Sequence, residues 1–468
     1  MLFKDTESDD EREDSTPTLW AVERLANAYS QSPVGNPKEA MTGTESVKDS
    51  VGAWPARMQT DRAPDMSLHA VPVEQRPPAT LQVRLNTVLF NVVFPLAMLV
   101  MHLVQLAAQP LCLHPATLPL YDRLAPWFKD IFGRLLVVIV MVWAPTTLRI
   151  TVDREDSHLS LDRIVQRDET GKAVGLRLPD RMVLIANHQV YCDWNYIWNM
   201  LYLADLHASV IIMLKASLKW LPLIGPAMQM FRFVFMQKNW LLDRAPLALN
   251  LRRLSEKAAK GLDPFVLLIF PEGTLVSRQT RPASLKYAEK TGILDLRHTL
   301  LPRSTGLLFC LRTLAPTTPG LKLLDVTIAY PGIPSGGYGQ TYYTLQSIFG
   351  AGVPPPVISM HLRSYSALDD VPIGLSTLST STTTGAEATE EESKDFNEWL
   401  LRRWREKDER LDLFRHDGIL AKKCDHVDIP VKLKDNSEIV ALLFSWVLGL
   451  WIAKKLWDLS RAVFRVAF

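Results

Sequence analysis

Residues 181–194 read RMVLIANHQVYCDW, a mainly apolar run that breaks into a polar turn. The run predicts a buried β-strand that ends near Ala186. His188 and Asp193 follow it, five positions apart. On one continuous helix, side chains with this spacing would diverge by roughly 140°, because each residue advances about 100°. We therefore expect His188 on the turn and Asp193 in the first turn of a helix, with the carboxylate folded back onto the imidazole.

The histidine and aspartate have two interpretations. A histidine that a carboxylate orients is a general base; alternatively, the turn is simply polar and Asp193 caps the helix. Residues 264–274, PFVLLIFPEGT, bear on the choice, because a second apolar run breaks into a turn, here with an acid and a glycine. Such a turn can aim backbone N–H groups and a carboxylate into a cleft at the end of a sheet, where open α/β folds bind ligands.

The two stretches contain N-H-x-x-x-x-D-W and F-P-E-G-T in that order, and together they resemble the glycerolipid acyltransferase superfamily. The resemblance covers roughly residues 85–414. Residues 301–306, LPRSTG, make it similar to the eukaryotic branch of 1-acylglycerol-3-phosphate, lysophosphatidylinositol and lysocardiolipin acyltransferases, and most similar to the fungal lysophosphatidylinositol type. The resemblance implies an α/β fold and the acyl-CoA-dependent transfer of a fatty acyl group to the free glycerol hydroxyl of a lysophospholipid.

The resemblance also implies roles for individual residues. His188 would be the general base and Asp193 its orienting partner. The oxyanion of the tetrahedral intermediate would need N–H donors, and the turn around Gly273 or the one around Asn187 is the candidate source. The substrate-binding residues that the resemblance implies or allows are Asn187, Lys238, Glu272, Gly273, Thr274 and Arg278.

The phosphate-binding residues depart from the family pattern. Lys238 ends the block FMQK, which stands where relatives have F-I-D-R with a phosphate-binding arginine. A lysine would contact phosphate as a point charge and could not form a bidentate fork. Leu275 stands where many relatives have a further arginine, and Arg278 either supplies that charge or is a solvated surface residue. Lys215 also occupies a position that is basic in relatives.

Composition excludes several classes of function. The chain has 52 basic and 50 acidic residues and no basic stripe with interleaved aromatics, which argues against nucleic-acid binding. The four cysteines form no C-x-x-C pair, so the sequence predicts neither a disulfide framework nor a metal site. Cys192 lies inside the His–Asp motif, but a nucleophilic cysteine would need a histidine beside it. We expect no cofactor, only acyl-CoA as a co-substrate.

The ends of the chain predict membrane attachment. Residues 1–80 are polar and expected to be disordered, without a signal peptide. Residues 81–150 are expected to anchor the protein, since the uncharged run 85–106 is long enough to span a bilayer. The run near 127–148 is either membrane-associated or a core helix. Residues 431–468 predict a membrane helix with a basic, amphipathic end. We expect the endoplasmic reticulum membrane, with the orientation left open.

Residues 151–430 are expected to form the acyltransferase domain, a central sheet flanked by helices. Residues 366–393 are rich in serine and threonine and predict a disordered insertion.

Cationic residues interrupt the apolar segment 210–235, which indicates a surface or groove segment and argues against a membrane span. Predicted strands cover 148–152, 182–186, 210–214, 233–236, 266–270, 326–330 and 357–362, and predicted helices cover 247–260 and 395–414.

Two other functions compete with acyl transfer. A lipid hydrolase would need an exposed nucleophile, and the G-x-S-x-G elbow is absent from the sequence. A non-catalytic membrane scaffold could keep the fold, but it would have no chemical need for His188 and Asp193.

Overall fold

An eight-stranded mixed sheet lies at the centre of the fold. The computed structural model describes residues 66–154, 156, 158–221, 224–259, 264–374 and 388–467. The order across the sheet is β10 (Cys424–Pro430), β1 (Thr147–Asp153), β9 (Val357–Ser366), β8 (Lys322–Ala329), β4 (Arg181–Ala186), β7 (Phe265–Ile269), β5 (Val210–Lys215) and β6 (Val234–Met236). A separate pair consists of β2 (Val165–Arg167) and β3 (Ala173–Leu176).

The five strands from β8 to β6 are parallel, so their carboxyl ends meet at one edge of the sheet. On the other side of β8, strand β9 runs antiparallel to β8 and parallel to β1, and β10 is antiparallel to β1. Ligands of open parallel sheets bind outside the carboxyl ends of the strands. The turns after β4 and β7 both lie at that edge.

Both faces of the sheet are covered by helices. These are α1 (Leu81–Ala108), α2 (Leu118–Trp143), α3 (Leu161–Ile164), α4 (Asp193–Leu203), α5 (Ile224–Met230), α6 (Trp240–Ala259), α7 (Arg281–Thr291), α8 (Ser304–Leu314), α9 (Gly339–Tyr342), α10 (Glu390–Asp417) and α11 (Glu438–Ala467). Along β4, Met182 and Leu184 belong to the core shared with α1, α2 and α4. Val183 and Ile185 belong to the core shared with α6, α8 and α10. Successive strand residues point to opposite faces, so a doubly covered strand is apolar throughout, and the predicted α/β class is confirmed.

The predicted boundaries of the insertion are too wide. Ser366 is the last residue of β9, and Ile373 beyond it is fully buried. Helix α10 then begins at Glu390, where Thr389 and Glu392 form a reciprocal capping box. Burial and capping give both flanks defined positions, and the centre of the predicted insertion, 375–387, lies outside the described residues.

Part of the predicted disordered tail, residues 1–80, has defined structure. Residues 1–65 lie outside the described residues, but short 3₁₀-helices occupy Met66–Ala70 and Val73–Gln75. His69 is buried there, and its Nδ1 lies 3.0 Å from the hydroxyl of Tyr343. Arg76 donates to the carbonyl oxygen of Tyr342 at 2.6 Å and to the hydroxyl of Ser347. Buried, hydrogen-bonded polar groups therefore fix a segment that its composition marks as tail.

One helix among the described residues is long and apolar enough to cross a membrane, at Leu81–Leu111. The run near 127–148 is a core helix, because Leu136, Val137 and Val140 of α2 are buried against the sheet. The predicted membrane embedding of the C-terminal α11 is not confirmed by this criterion and stays a prediction. Helix α11 does pack against α1, where the position of a Cβ on Gly449 would lie 2.6 Å from the carbonyl oxygen of Val100.

Candidate active site

The His188–Asp193 contact that the spacing predicts is present. Strand β4 ends at Ala186, helix α4 begins at Asp193, and the turn between them carries His188. His188 Nδ1 lies 2.8 Å from Asp193 Oδ2. The carboxylate thus folds back from the first turn of the helix onto the imidazole, as a carboxylate does when it orients a general base.

Asp193 is held by more than the imidazole. Its side chain is fully buried, and Oδ2 also accepts the backbone N–H groups of Gln189 at 2.6 Å and Val190 at 3.0 Å. Oδ1 accepts the hydroxyl of Tyr330, one residue beyond β8. Four donors on its two oxygens therefore fix the orientation of the carboxylate.

The imidazole of His188 is presented with its second nitrogen available. The ring stacks on Phe270 with centroids 4.5 Å apart, and the side chain keeps 19% of its exposure. Because Nδ1–H donates to Asp193, the lone pair of the neutral ring is on Nε2. No hydroxyl or thiol of the described residues is hydrogen-bonded to His188. The pair can therefore remove a proton from an incoming hydroxyl.

Glu272 joins the two loops that border His188. Its buried carboxylate accepts the backbone N–H of His188 on Oε1 and that of Leu300 on Oε2, each at 3.1 Å. The resemblance implies an acceptor-pocket role for this residue, but both oxygens already serve backbone donors. In the structure, Glu272 sets the position of the histidine loop relative to the loop before α8.

Burial raises the pKa of the Glu272 carboxyl to about 8, and the charge of Asp193 acts in the same direction. The two backbone N–H donors offset part of this rise. The folded protein therefore binds a proton at this site that the unfolded chain releases above its ordinary pKa of 4.5. The stabilisation that this bound proton provides is complete below pH 4.5 and is lost as the pH rises through about 8.

Glu272→Gln removes this titration. Between about pH 4.5 and about pH 8, the free energy of unfolding of the wild type is expected to fall by at least about 2 kcal/mol more than that of the variant. Unfolding of the purified, detergent-solubilised proteins, measured at a series of pH values, tests this. Parallel pH profiles for the two proteins would contradict the assignment of the titration to Glu272.

The side chain of Asn187 makes structural contacts, and its predicted role in substrate binding stays a prediction. Its side chain is fully buried, with Nδ2 donating to the carbonyl oxygen of Ile328 at 3.0 Å and Oδ1 accepting the N–H of Ile328 at 2.8 Å. The amide thus ties the turn after β4 to the end of β8. The N–H of Gly273, an expected oxyanion donor, instead donates to the carbonyl oxygen of Phe270 at 2.9 Å.

Gly273 is required by the geometry of its turn. Its φ of +70° lies in the left-handed region, which side chains with a Cβ rarely adopt. A Cβ at this position would also lie 3.4 Å from Nε of Arg303. Thr274 follows and is half-buried. The glycine therefore lets the turn fold closely beneath the guanidinium of Arg303.

A basic cluster, defined by Lys215, Lys238 and Arg303, lies beside this turn. Partial burial lowers the pKa of Lys238, and the positive charges of Arg303 and Lys215 lower it further. Lys238 also has a φ of +63°, an uncommon backbone conformation for a lysine and one that is found at functional sites. Three cations gathered at the carboxyl edge of the sheet can bind an anionic group.

Arg303 was not among the predicted site residues. In the sequence it served only as part of the LPRSTG motif that carries the family resemblance. A basic residue that follows a proline between two secondary-structure elements could have identified it as a site residue. Leu275, at the position where relatives have arginine, is buried, and Arg278 is exposed. Arg303, and not Arg278, is therefore the arginine that the structure shows beside Gly273. Tyr330 and Phe270, which contact Asp193 and His188, were likewise missed.

Comparisons with known proteins agree with this geometry. Residues 165–330 match the family model described as Acyltransferase. The chain is 32% identical over 319 residues to the 2-acyl-1-lysophosphatidylinositol acyltransferase of Saccharomyces cerevisiae, covering 62% of this chain and 75% of that relative. It is 33% identical over 235 residues to the lysocardiolipin acyltransferase 1 of Danio rerio, covering 50% and 53% of the two chains. It is 30% identical over 239 residues to the probable 1-acyl-sn-glycerol-3-phosphate acyltransferase 5 of Arabidopsis thaliana, covering 51% and 55%.

The α/β fold places a carboxylate-held histidine at the carboxyl edge of its parallel strands, an arrangement that can activate a hydroxyl. The chain belongs to the acyltransferase family that includes lysophosphatidylinositol, lysocardiolipin and 1-acylglycerol-3-phosphate acyltransferases.

Proposed function

We propose that the protein transfers a fatty acyl group from acyl-CoA to the free glycerol hydroxyl of a lysophospholipid, with lysophosphatidylinositol as the first candidate and lysophosphatidate as the second. The observation that supports it most is the contact of 2.8 Å between His188 Nδ1 and Asp193 Oδ2, which leaves Nε2 as a base. The activities for which the related proteins are named support the choice of acceptor.

The reaction then follows from ordinary acid–base chemistry. Nε2 of His188 takes the proton of the glycerol hydroxyl, and the oxygen attacks the thioester carbonyl carbon. A carbon–oxygen bond forms, the carbon–sulfur bond of the tetrahedral intermediate breaks, and the leaving thiolate takes the proton from the imidazolium. Asp193 stabilises the imidazolium between these two steps. Transfer is direct, because no nucleophile among the described residues is paired with His188.

The basic cluster supports a phosphate-bearing acceptor. Arg303 can form the directional contact to phosphate oxygens, and Lys238 adds a point charge beside it. Binding the phosphate in this way would place the glycerol hydroxyl near Nε2 and reduce the entropy lost on reaching the transition state.

Arg303→Ala and Lys238→Ala are each expected to raise KM for the lysophospholipid about tenfold or more, since hydrogen bonds to charged groups contribute about 1.5–3 kcal/mol. The kcat should change little, because the phosphate is bound in the ground state as well as the transition state. Steady-state kinetics with the purified variants measure both constants. The exposed Arg278 provides the matched control, and a rise in KM for Arg278→Ala without one for Arg303→Ala would assign the contact to the other arginine.

A panel assay tests the proposed reaction as a whole. Purified protein is given one acyl-CoA and a series of lysophospholipids that differ in headgroup, and the acylated product is quantified. Lysophosphatidylinositol is expected to be the preferred acceptor. Release of free fatty acid from acyl-CoA alone, at the rate seen with acceptor, would instead identify a hydrolase.

We also propose that the protein is membrane-embedded, with the endoplasmic reticulum as its site. The span Leu81–Leu111 and its packing partner α11 support this. Exposed apolar side chains on α1 include Leu85 and Leu96, and those on α11 include Phe444 and Val447. Apolar residues on the outer surfaces of two packed helices suit lipid better than water.

A further inference from the structure

We propose that a rim of the acyltransferase domain, made by Lys215, Lys219, Trp220, Lys238 and Leu241, rests on the surface of a bilayer that contains anionic lipid. Two of these residues are large, apolar and strongly exposed: Trp220 keeps 77% and Leu241 87% of its exposure. The inference rests on the proposed function in that it describes how the acceptor lipid reaches the site.

The topology brings the five rim residues together. Strands β5 and β6 are neighbours in parallel register, with Lys215 opposite Met236 at their carboxyl ends. A 3₁₀-helix, Ala216–Trp220, continues directly from β5, and α6 begins at Trp240 shortly after β6. Trp220 and Leu241 are therefore each five residues beyond that paired position. Both lie at the edge of the sheet that holds the candidate active site.

Basic side chains lie beside the exposed apolar side chains of Trp220 and Leu241. Lys219 places its ammonium 5.3 Å from the centre of the Trp220 ring, and Lys215 and Lys238 belong to the basic cluster. Asp243, in the first turn of α6, is buried and accepts the N–H of Gln237 at 2.7 Å, so its charge is directed inward. Tryptophan beside lysine suits the interface between headgroups and acyl chains, and an anionic lipid surface attracts the cations.

The rim is also joined to the candidate membrane helix. A Cβ on Gly225 of α5 would collide with the carbonyl oxygen of Lys219, and Gln229 of α5 donates to that oxygen at 2.9 Å. Helix α5 in turn packs against α1, which contains the candidate span. A bilayer crossed by α1 is therefore near the rim, and a lysophospholipid could move from the bilayer to the basic cluster without entering bulk water.

Photo-crosslinking in lipid nanodiscs tests the contact without relying on turnover. The photoreactive residue benzoylphenylalanine replaces Trp220 or Leu241 in the full-length protein, which is reconstituted with tritiated phosphatidylcholine and phosphatidylserine. The matched control position is Ile419, which keeps 42% of its exposure and precedes β10, the strand at the other end of the strand order from β6. Lipid labelling at both rim positions is expected to exceed that at the control at least about fivefold, and Lys219→Glu is expected to lower labelling at Trp220 about fivefold, as loss of a cation near an anionic surface predicts.

Equal labelling at the rim and at Ile419, or crosslinking of the rim to a second protein copy, would overturn the inference. The experiment is repeated with His188→Ala, in which labelling should persist. Labelling without acyl transfer in the otherwise unsubstituted protein would leave the rim standing and refute the proposed function. Acyl transfer without labelling of the rim would refute the membrane contact of the rim and leave the proposed function standing.

A kinetic arm uses the double variant Trp220→Ala/Leu241→Ala. Its KM for lysophospholipid presented in phosphatidylserine-containing vesicles is expected to rise at least about fivefold, because membrane binding scales with the apolar area that inserts. Its kinetics with a short-chain, monomeric lysophospholipid should match those of the unsubstituted protein. An equal rise with both substrates would show that the substitutions disturb the site itself and would contradict a role in membrane contact.

Discussion

His188→Ala is expected to lower kcat for acyl transfer at least about a thousandfold, because general base catalysis and proton return to the leaving thiolate are lost together. The imidazole stacks on Phe270 and its Nδ1 is bound to Asp193, so Nε2 is the atom placed to accept the proton. KM for the lysophospholipid should change much less, since the proposed phosphate contacts involve other residues. Kinetics with purified protein in detergent and lysophospholipid as acceptor measure both constants.

His158→Ala is the matched control for this prediction. His158 also contacts a carboxylate, with Nε2 lying 3.1 Å from Asp370 Oδ2, and its side chain is comparably exposed. A surface ion pair of this kind contributes little to stability or catalysis. Turnover should therefore be retained in His158→Ala. Comparable residual activity in the two variants would refute the assignment of His188 as the base.

Asp193→Asn is expected to reduce kcat about a hundredfold or more. An asparagine is nearly the same size, but it removes the charge that stabilises the imidazolium. Its single amide oxygen can replace only one of the two carboxylate oxygens, which accept from His188, Gln189 and Val190 on Oδ2 and from Tyr330 on Oδ1. When the amide nitrogen faces the imidazole, Nδ1 must accept and the ring proton moves to Nε2, so the fraction of rings with a basic Nε2 falls.

Two further variants serve as comparisons for Asp193→Asn. Tyr330→Phe removes only one of the donors to Asp193 and should reduce kcat by no more than about tenfold, the effect of one typical hydrogen bond. Asp370→Asn changes the corresponding carboxylate of the His158 pair and should be silent in kinetics. Wild-type kcat in a folded Asp193→Asn protein would show that the aspartate only caps α4, the alternative interpretation of the motif.

The sequence predicted those parts of the fold in which one segment determines its own structure. Strands β4, β5 and β7 are mainly apolar because helices cover both faces of the sheet, and short apolar runs bounded by turns identify them. The His188–Asp193 contact is also local, and its spacing alone excluded a shared helical face. These features depend on neighbours within a few residues.

The missed features depend on residues distant in sequence. Strand β10 contains Asp425, His426 and Asp428, a polar pattern that an edge strand tolerates because Arg149 of β1 pairs with Asp428 at 2.7 Å. Tyr330 meets Asp193 only because β8 is placed beside β4, an adjacency that no local pattern reveals. Arg303 comes near Lys238 for the same reason, because the two residues lie in separate segments of the chain.

The short segment before α1 has a practical consequence for anyone who shortens the protein. His69 packs so closely on Gly332 that a Cβ there would lie 2.7 Å from it, and it meets Tyr343, whose ring neighbours that of Tyr330. Cutting the chain at the apparent start of α1 would remove this support and leave polar groups of Tyr342 and Ser347 without the guanidinium of Arg76. A shortened protein that is to keep the hydroxyl of Tyr330 bonded to Asp193 should therefore begin at or before Met66.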